Sequence, residues 1–229
     1  FMPISLSYFF QALSDRQKTN QSSVYKQVFL TSVVLFSSIG MSIFLTPEGK
    51  NLSYHFIEEG GFNTVVTAFF LAAASTLMFA THMSESASGL KSSWIWIAQS
   101  VGFAFLSVDE MFQLHEQIGL YFDTFVSSGP FINWNDLLVA VYGFIAIITA
   151  LIILPKILPI RSLPELLAMA FLFFMAHMLT DLMVDHSSDF THIAEESLKL
   201  FSAGFLALAG YSALKWSLNR NRTGPSSFL

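Results

Sequence analysis

The sequence predicts an all-α protein, a polytopic transmembrane bundle of six helical spans with both termini in the cytoplasm. Three observations carry that expectation. Of the 229 residues, 53% are hydrophobic and only 12% charged, with a mean hydropathy of +0.57, outside the balance of an ordinary soluble domain. Six continuous apolar runs each approach the roughly 20 residues that a hydrocarbon core requires, without the ten-residue alternation of barrel strands. Finally, the charged residues segregate by sign once the runs are threaded alternately across a bilayer.

Residues 1–25 precede the bundle. Ile4, Leu6, Tyr8, Phe9, Phe10 and Leu13 are expected to form a short amphipathic segment on the cytoplasmic interface, because the Ser/Asn/Gln-rich stretch that follows is too polar to insert. No secretory signal is expected, since the first apolar run comes after polar sequence and lacks a small-residue cleavage site. The transmembrane domain is expected over 26–216, with spans at 27–45, 62–81, 94–112, 136–154, 164–183 and 193–214, and a polar cytoplasmic tail over 217–229. Between spans four and five, Pro155, Pro159 and Pro164 mark a tight turn. There, Ser162-Leu163-Pro164-Glu165 places Ser at an N-cap, Pro in the first turn and Glu three residues on. Ala203, Gly204, Ala207, Ala209 and Gly210 allow close approach of helices and put span six in the bundle interior. Trp94, Trp96, Trp134 and Trp216 lie near span ends and read as interfacial anchors.

Orientation follows from the cations. Arg16, Lys18, Lys26, Lys91, Lys156, Arg161, Lys215, Arg220 and Arg222 all fall on one side, which the positive-inside rule makes cytoplasmic. The other side collects His55, Glu58, Glu59, Asp109, Glu110, His115, Glu116, Asp181, Asp185, His186, Asp189, His192, Glu195 and Glu196, with Lys50 and Lys199 as the exceptions. This acidic and imidazole-rich collar is the strongest functional signal. His-x-x-Glu-Glu occurs twice, at His55–Glu59 and His192–Glu196. Span three ends in Asp109-Glu110-x4-His115-Glu116, where Asp109, Gln113 and Glu116 share one face if the helix continues. Span five carries His177, Asp181 and Asp185 at i, i+4 and i+8, and span six carries His192, Glu195, Glu196 and Lys199 at i, i+3, i+4 and i+7.

Helices about 10 Å apart can bring such side chains onto one ion. Nitrogen and oxygen donors without a single Cys suit zinc or iron and exclude Cys-ligated zinc and iron–sulfur clusters. The metal ligands expected are His177, Asp181, Asp185, His192, Asp109 and Glu59, with Glu110 or Glu196 as general base. A competing account treats the same residues as helix caps, since acidic groups at the N-terminal ends of spans two and six complement the helix dipole, and Lys199 as a simple i, i+4 partner of Glu195. No phosphate loop, Gly-x-Ser-x-Gly elbow, His-Glu-x-x-His motif or clustered basic surface is present, which argues against nucleic acid as a partner.

The Asp-Glu-x4-His-Glu ending of span three, the Glu-Glu-Gly-Gly start of span two and the Glu-Glu-x-x-Lys-Leu start of span six resemble uncharacterised six-span bacterial integral membrane proteins. That resemblance implies location in the bacterial cytoplasmic (inner) membrane and brings no activity. More remotely, His and Asp at the ends of spans look like the alkaline ceramidase and progestin/adiponectin-receptor group, which uses intramembrane zinc for amide or ester hydrolysis. That group has seven spans and a His-x-x-x-His pair where this chain has six spans and His177-x-x-x-Asp181, so no catalytic role is carried over. Three functions are therefore expected to compete: a metal-dependent hydrolase of lipid-like esters or amides, a proton or metal conduit with Asp109, Glu110 and Asp181 as relay, and an accessory subunit whose collar docks a partner within a membrane complex. The lipid bilayer is the common partner. In this cysteine-free chain, cysteines introduced at Ser14 and Ser127 should label with an impermeant thiol reagent from opposite sides of the membrane; labelling from one side would remove the collar.

Overall fold

The structure, a computed structural model, describes residues 22–57, 61–89, 94–125, 134–160, 162–183 and 188–223. All regular elements among these are helical: α1 (Ser22–Phe44), α2 (Tyr54–Ile57), α3 (Phe62–Ala87), α4 (Trp94–Phe112), α5 (Leu114–Asp123), α6 (Trp134–Ile157), α7 (Leu163–Met183) and α8 (Asp189–Thr223). Six of them, α1, α3, α4, α6, α7 and α8, are long and apolar enough to cross a membrane. Residues 1–21 of the expected interfacial segment and 224–229 of the expected tail lie outside the described residues.

Span positions agree closely with expectation except where helices run longer. α3 continues to Ala87 and α8 to Thr223 because a polar clasp joins their ends. Asn221 Nδ2 donates to the Ser84 carbonyl at 2.9 Å and to Ser84 Oγ at 3.0 Å, and Ser217 Oγ lies 3.0 Å from Ser84 Oγ. The segment from 217 thus begins as helix. Likewise α6 passes through Pro155 to Ile157, where the missing N–H costs one bond near the helix end. Ser162 does precede the first residue of α7, with its carbonyl accepting the Leu166 N–H at 3.0 Å, although its own backbone is left-handed at φ 61°.

Small residues make α8 the axis of the bundle. It packs against α3, α7 and α1, while α3 also carries α4. Half of the apolar window of α8 is buried, against 11% for α1 and for α6, so the latter two present most of their surface to lipid. Gly204 lets Leu35 of α1 approach so closely that a Cβ would stand 2.8 Å from Leu35 Cδ2, and at Gly210 a Cβ would meet Leu77 Cβ at 3.0 Å and the Ala74 carbonyl oxygen at 3.3 Å. Such contacts are how spans associate where lipid removes the hydrophobic driving force.

Two local expectations are corrected. Trp96 is no interfacial anchor: it is 4% exposed and its indole N–H donates to Glu85 Oε2 at 3.0 Å, which satisfies a buried carboxylate at the end of the bundle opposite the collar. Span three does not run on through its acidic motif either. Gln113 adopts φ 48°, ψ 45°, so α4 stops at Phe112 and α5 departs in a new direction, which takes Asp109, Gln113 and Glu116 off any common face. Because its neighbour across the interface includes backbone, Gly210→Val should destabilise the protein by about 1–3 kcal/mol. Gly102→Ala, with nothing within 4 Å of the new Cβ, should stay within about 0.5 kcal/mol of the parent; thermal melts in detergent or nanodiscs read both.

Candidate functional site

The helix break at Gln113 is held by one carboxylate. Asp109 Oδ1 accepts the backbone N–H of His115 at 2.9 Å and Oδ2 lies 2.9 Å from His115 Nδ1. Asp109 thereby satisfies an otherwise unpaired donor in the first turn of α5 and orients the imidazole, whose other nitrogen lies 4.0 Å from Glu116 Oε1. Burial pulls the His115 pKa down, but the hydrogen bond to Asp109 and the charges of Asp109 and Glu116 outweigh it, and the value rises above the ordinary 6.5.

One residue on from Asp109, Glu110 turns to a different partner. Its Oε1 lies 3.0 Å from Lys199 Nζ, and Glu196 Oε1 lies 2.9 Å from the same ammonium. Lys199 therefore joins α4 to α8 through a shared ion pair, with the Asn63 amide of α3 donating weakly to Glu196 at 3.4–3.5 Å. The membrane-length stretch of α8, Asp189–Asn221, is 33 residues and so about 50 Å long, and Lys199 stands about 15 Å along its axis from Asp189. The expected Glu195–Lys199 pair is replaced: Glu195 faces α7 instead, with Oε1 3.8 Å from His177 Nδ1.

These groups surround a cavity of about 420 Å³ at the collar end. Its wall holds five carboxyl groups (Asp109, Glu110, Glu116, Glu195 and Glu196), three imidazoles (His115, His177 and His192) and one ammonium, Lys199. The side chains of Glu110, Glu195 and Glu196 are only 10%, 11% and 13% exposed, so they point inward. Thr67 also lines the cavity; it is fully buried and its Oγ1 has no hydrogen-bond partner among the described residues.

Of the residues expected to hold a metal, Asp109 is committed to His115, while His177 and His192 share the cavity wall. Asp181 lies on α7 one turn toward the collar end from His177, but its side chain, like Asp185 and Glu59, is outside the described residues. Among the described residues no three His, Asp or Glu groups are gathered tightly enough to share one ion. A zinc or iron centre requires three or more protein donors, so it would have to recruit donors outside the described residues, Asp181, Asp185 and Glu59 among them. The twin His-x-x-Glu-Glu patterns are not equivalent. His192 lines the cavity, whereas His55 Nε2 lies 3.1 Å from the Leu45 carbonyl, in the connection after α1.

Sequence reasoning read Lys199 as a helix-surface partner of Glu195 and did not name Thr67. A signal for Lys199 existed: a lysine within an apolar span is a functional candidate on solvation cost alone. The Asp109–His115 pair yields a pH test. Its contribution is complete below pH 6.5 and is lost as pH rises through the raised folded value. The stability advantage of the parent over His115→Gln should accordingly shrink between neutral and mildly alkaline pH, and an advantage that grows with pH would refute the pairing.

No curated protein and no solved structure matches the chain. Residues 60–213, which run from the start of α3 to the buried part of α8 and contain nearly the whole cavity wall, match the model of a domain of unknown function, DUF8692, and the chain belongs to that family.

Proposed function

We propose that this is a cation-handling protein of the bacterial cytoplasmic membrane, a transporter or conduit whose binding cavity opens toward the periplasm. The observation that supports it is the lining of the cavity: five carboxyl groups against one ammonium and three imidazoles, of which His115 is already paired with Asp109. Low-dielectric surroundings strengthen the attraction of such a wall for a cation or a proton. Lys199 then acts as a resident counter-ion. It holds Glu110 and Glu196 together while the cavity is empty, and an arriving cation competes with it for the same oxygens.

The same geometry draws support away from the other readings. Glu110 and Glu196, the groups expected to serve as general base, each have an oxygen occupied by Lys199, which does not suit a base waiting for water. A docking collar would display its acids outward, whereas Glu110, Glu195 and Glu196 are turned in. In proteoliposomes loaded with a pH-sensitive dye, proton or sodium flux should fall at least about tenfold in Glu110→Gln and in Glu196→Gln, since loss of one charge-assisted contact costs about 1.5–3 kcal/mol. Stoichiometric zinc or iron in the purified protein, lost in His177→Ala, would overturn this reading in favour of the metal-dependent hydrolase.

A further inference from the structure

We propose that the cation is an organic ammonium ion carrying a short apolar arm, bound with its head between Glu110 and Glu196 and its arm on the cavity floor. This rests on the cation reading above and names the ligand class. Size is the first argument. A bare cation or proton needs almost no room, whereas about 420 Å³ is roughly fourteen times the volume of a water molecule in the liquid and falls within the roughly 300–1,000 Å³ of small-molecule sites.

The second argument is polarity along the cavity. Its charged groups lie toward the collar, and going deeper the wall becomes Leu71 of α3, Leu106 of α4, Tyr142 of α6, Phe174 of α7 and Leu206 of α8. Leu206 is seven residues beyond Lys199, about 10 Å down the helix axis, and Leu106 and Phe174 are each about one turn below Glu110 and His177. An inorganic ion would leave this apolar floor wet or empty. An alkyl arm fills it, and the faces of Tyr142 and Phe174 suit the positive end of the same ligand.

Thr67 is an independent pointer. Thr67 lines the cavity, is fully buried and has no hydrogen-bond partner for its hydroxyl among the described residues, a state that buried polar groups seldom keep. It sits on α3 between Thr64, near the charged level, and Leu71 on the floor, so a rotation of its side chain would be needed to offer the hydroxyl to the ammonium head. Lys199 itself displays the recognised chemistry, an ammonium on an alkyl stem with both carboxylates accepting. When a ligand takes that place, Glu195 at i−4 on the same helix is within reach of the displaced ammonium, so the exchange leaves that cation a carboxylate partner.

The test uses the full-length protein in nanodiscs and titrates ammonium, ethyl-, butyl- and hexylammonium by calorimetry, with sodium, hexanol and hexanoate as comparators. Kd should tighten about threefold to fourfold per added methylene until the floor is filled, as expected for about 0.8 kcal/mol per buried CH₂. Hexanol and hexanoate should not bind, Glu110→Gln should weaken hexylammonium at least about tenfold, and Leu206→Ser should flatten the chain-length series while ammonium still binds. If sodium or ammonium binds as tightly as hexylammonium, the ligand-class proposal fails and the cation reading stands. If only pH, and no added cation, changes stability, the cavity handles protons and the organic ligand is excluded. If neither cations nor protons act through Glu110 and Glu196, both readings fall. The chain-length series on the parent protein decides the matter even where a variant fails to fold.

Discussion

The shared ion pair of Lys199 with Glu110 and Glu196 is the constraint around which this bundle is arranged. An ammonium on a membrane-length helix is expensive unless paired, and removal of either carboxylate would leave its charge less compensated. That requirement fixes the rotation of α4 and α8 about their axes, because Glu110 and Glu196 must both point at one nitrogen. The same three side chains line the 420 Å³ cavity.

Close helix packing elsewhere makes that open space affordable. α8 can sit at the centre only because Gly204 and Gly210 admit Leu35, Leu77 and the backbone of α3. Below the cavity, Phe173 stacks on Phe205 with ring centroids 5.5 Å apart, and Met78, Ile95, Trp96, Leu208 and Ala209 close the core. At the far end, the Ser84–Ser217–Asn221 clasp and the Trp96–Glu85 bond tie the helices again. The bundle is thus dense and cross-tied away from the collar and polar and hollow toward it.

The six spans were legible in the sequence because bilayer thickness imposes a length and a composition that can be read residue by residue. The interior position of the last span was legible too, from its glycines and alanines. What could not be read was pairing across helices. Periodicity put Lys199 beside Glu195, since both lie on one face, but the choice between Glu195 and Glu196 depends on what α4 and α7 present, and these offer Glu110 and His177. Trp96 was assigned to the interface by its distance from a span end, and only the partner helix, with Glu85, shows why it is buried. The break at Gln113 carried no Gly or Pro to announce it; a left-handed glutamine is stabilised there by Asp109 reaching forward to His115, a contact that a continuous helix would forbid.

The polar groups of the collar then sort into three kinds of balance. Asp109 has His115 as a dedicated partner at 2.9 Å, and Glu195 faces His177 at a looser 3.8 Å. In both, a carboxylate is matched by one basic group. Glu110 and Glu196 share a single ammonium, so with both ionised that trio carries a surplus negative charge. A surplus held at depth is unfavourable unless something positive arrives to offset it. This asymmetry, rather than the number of acidic residues in the collar, is what supports the proposed cation site, with Asp109 and His115 as the paired frame beside it.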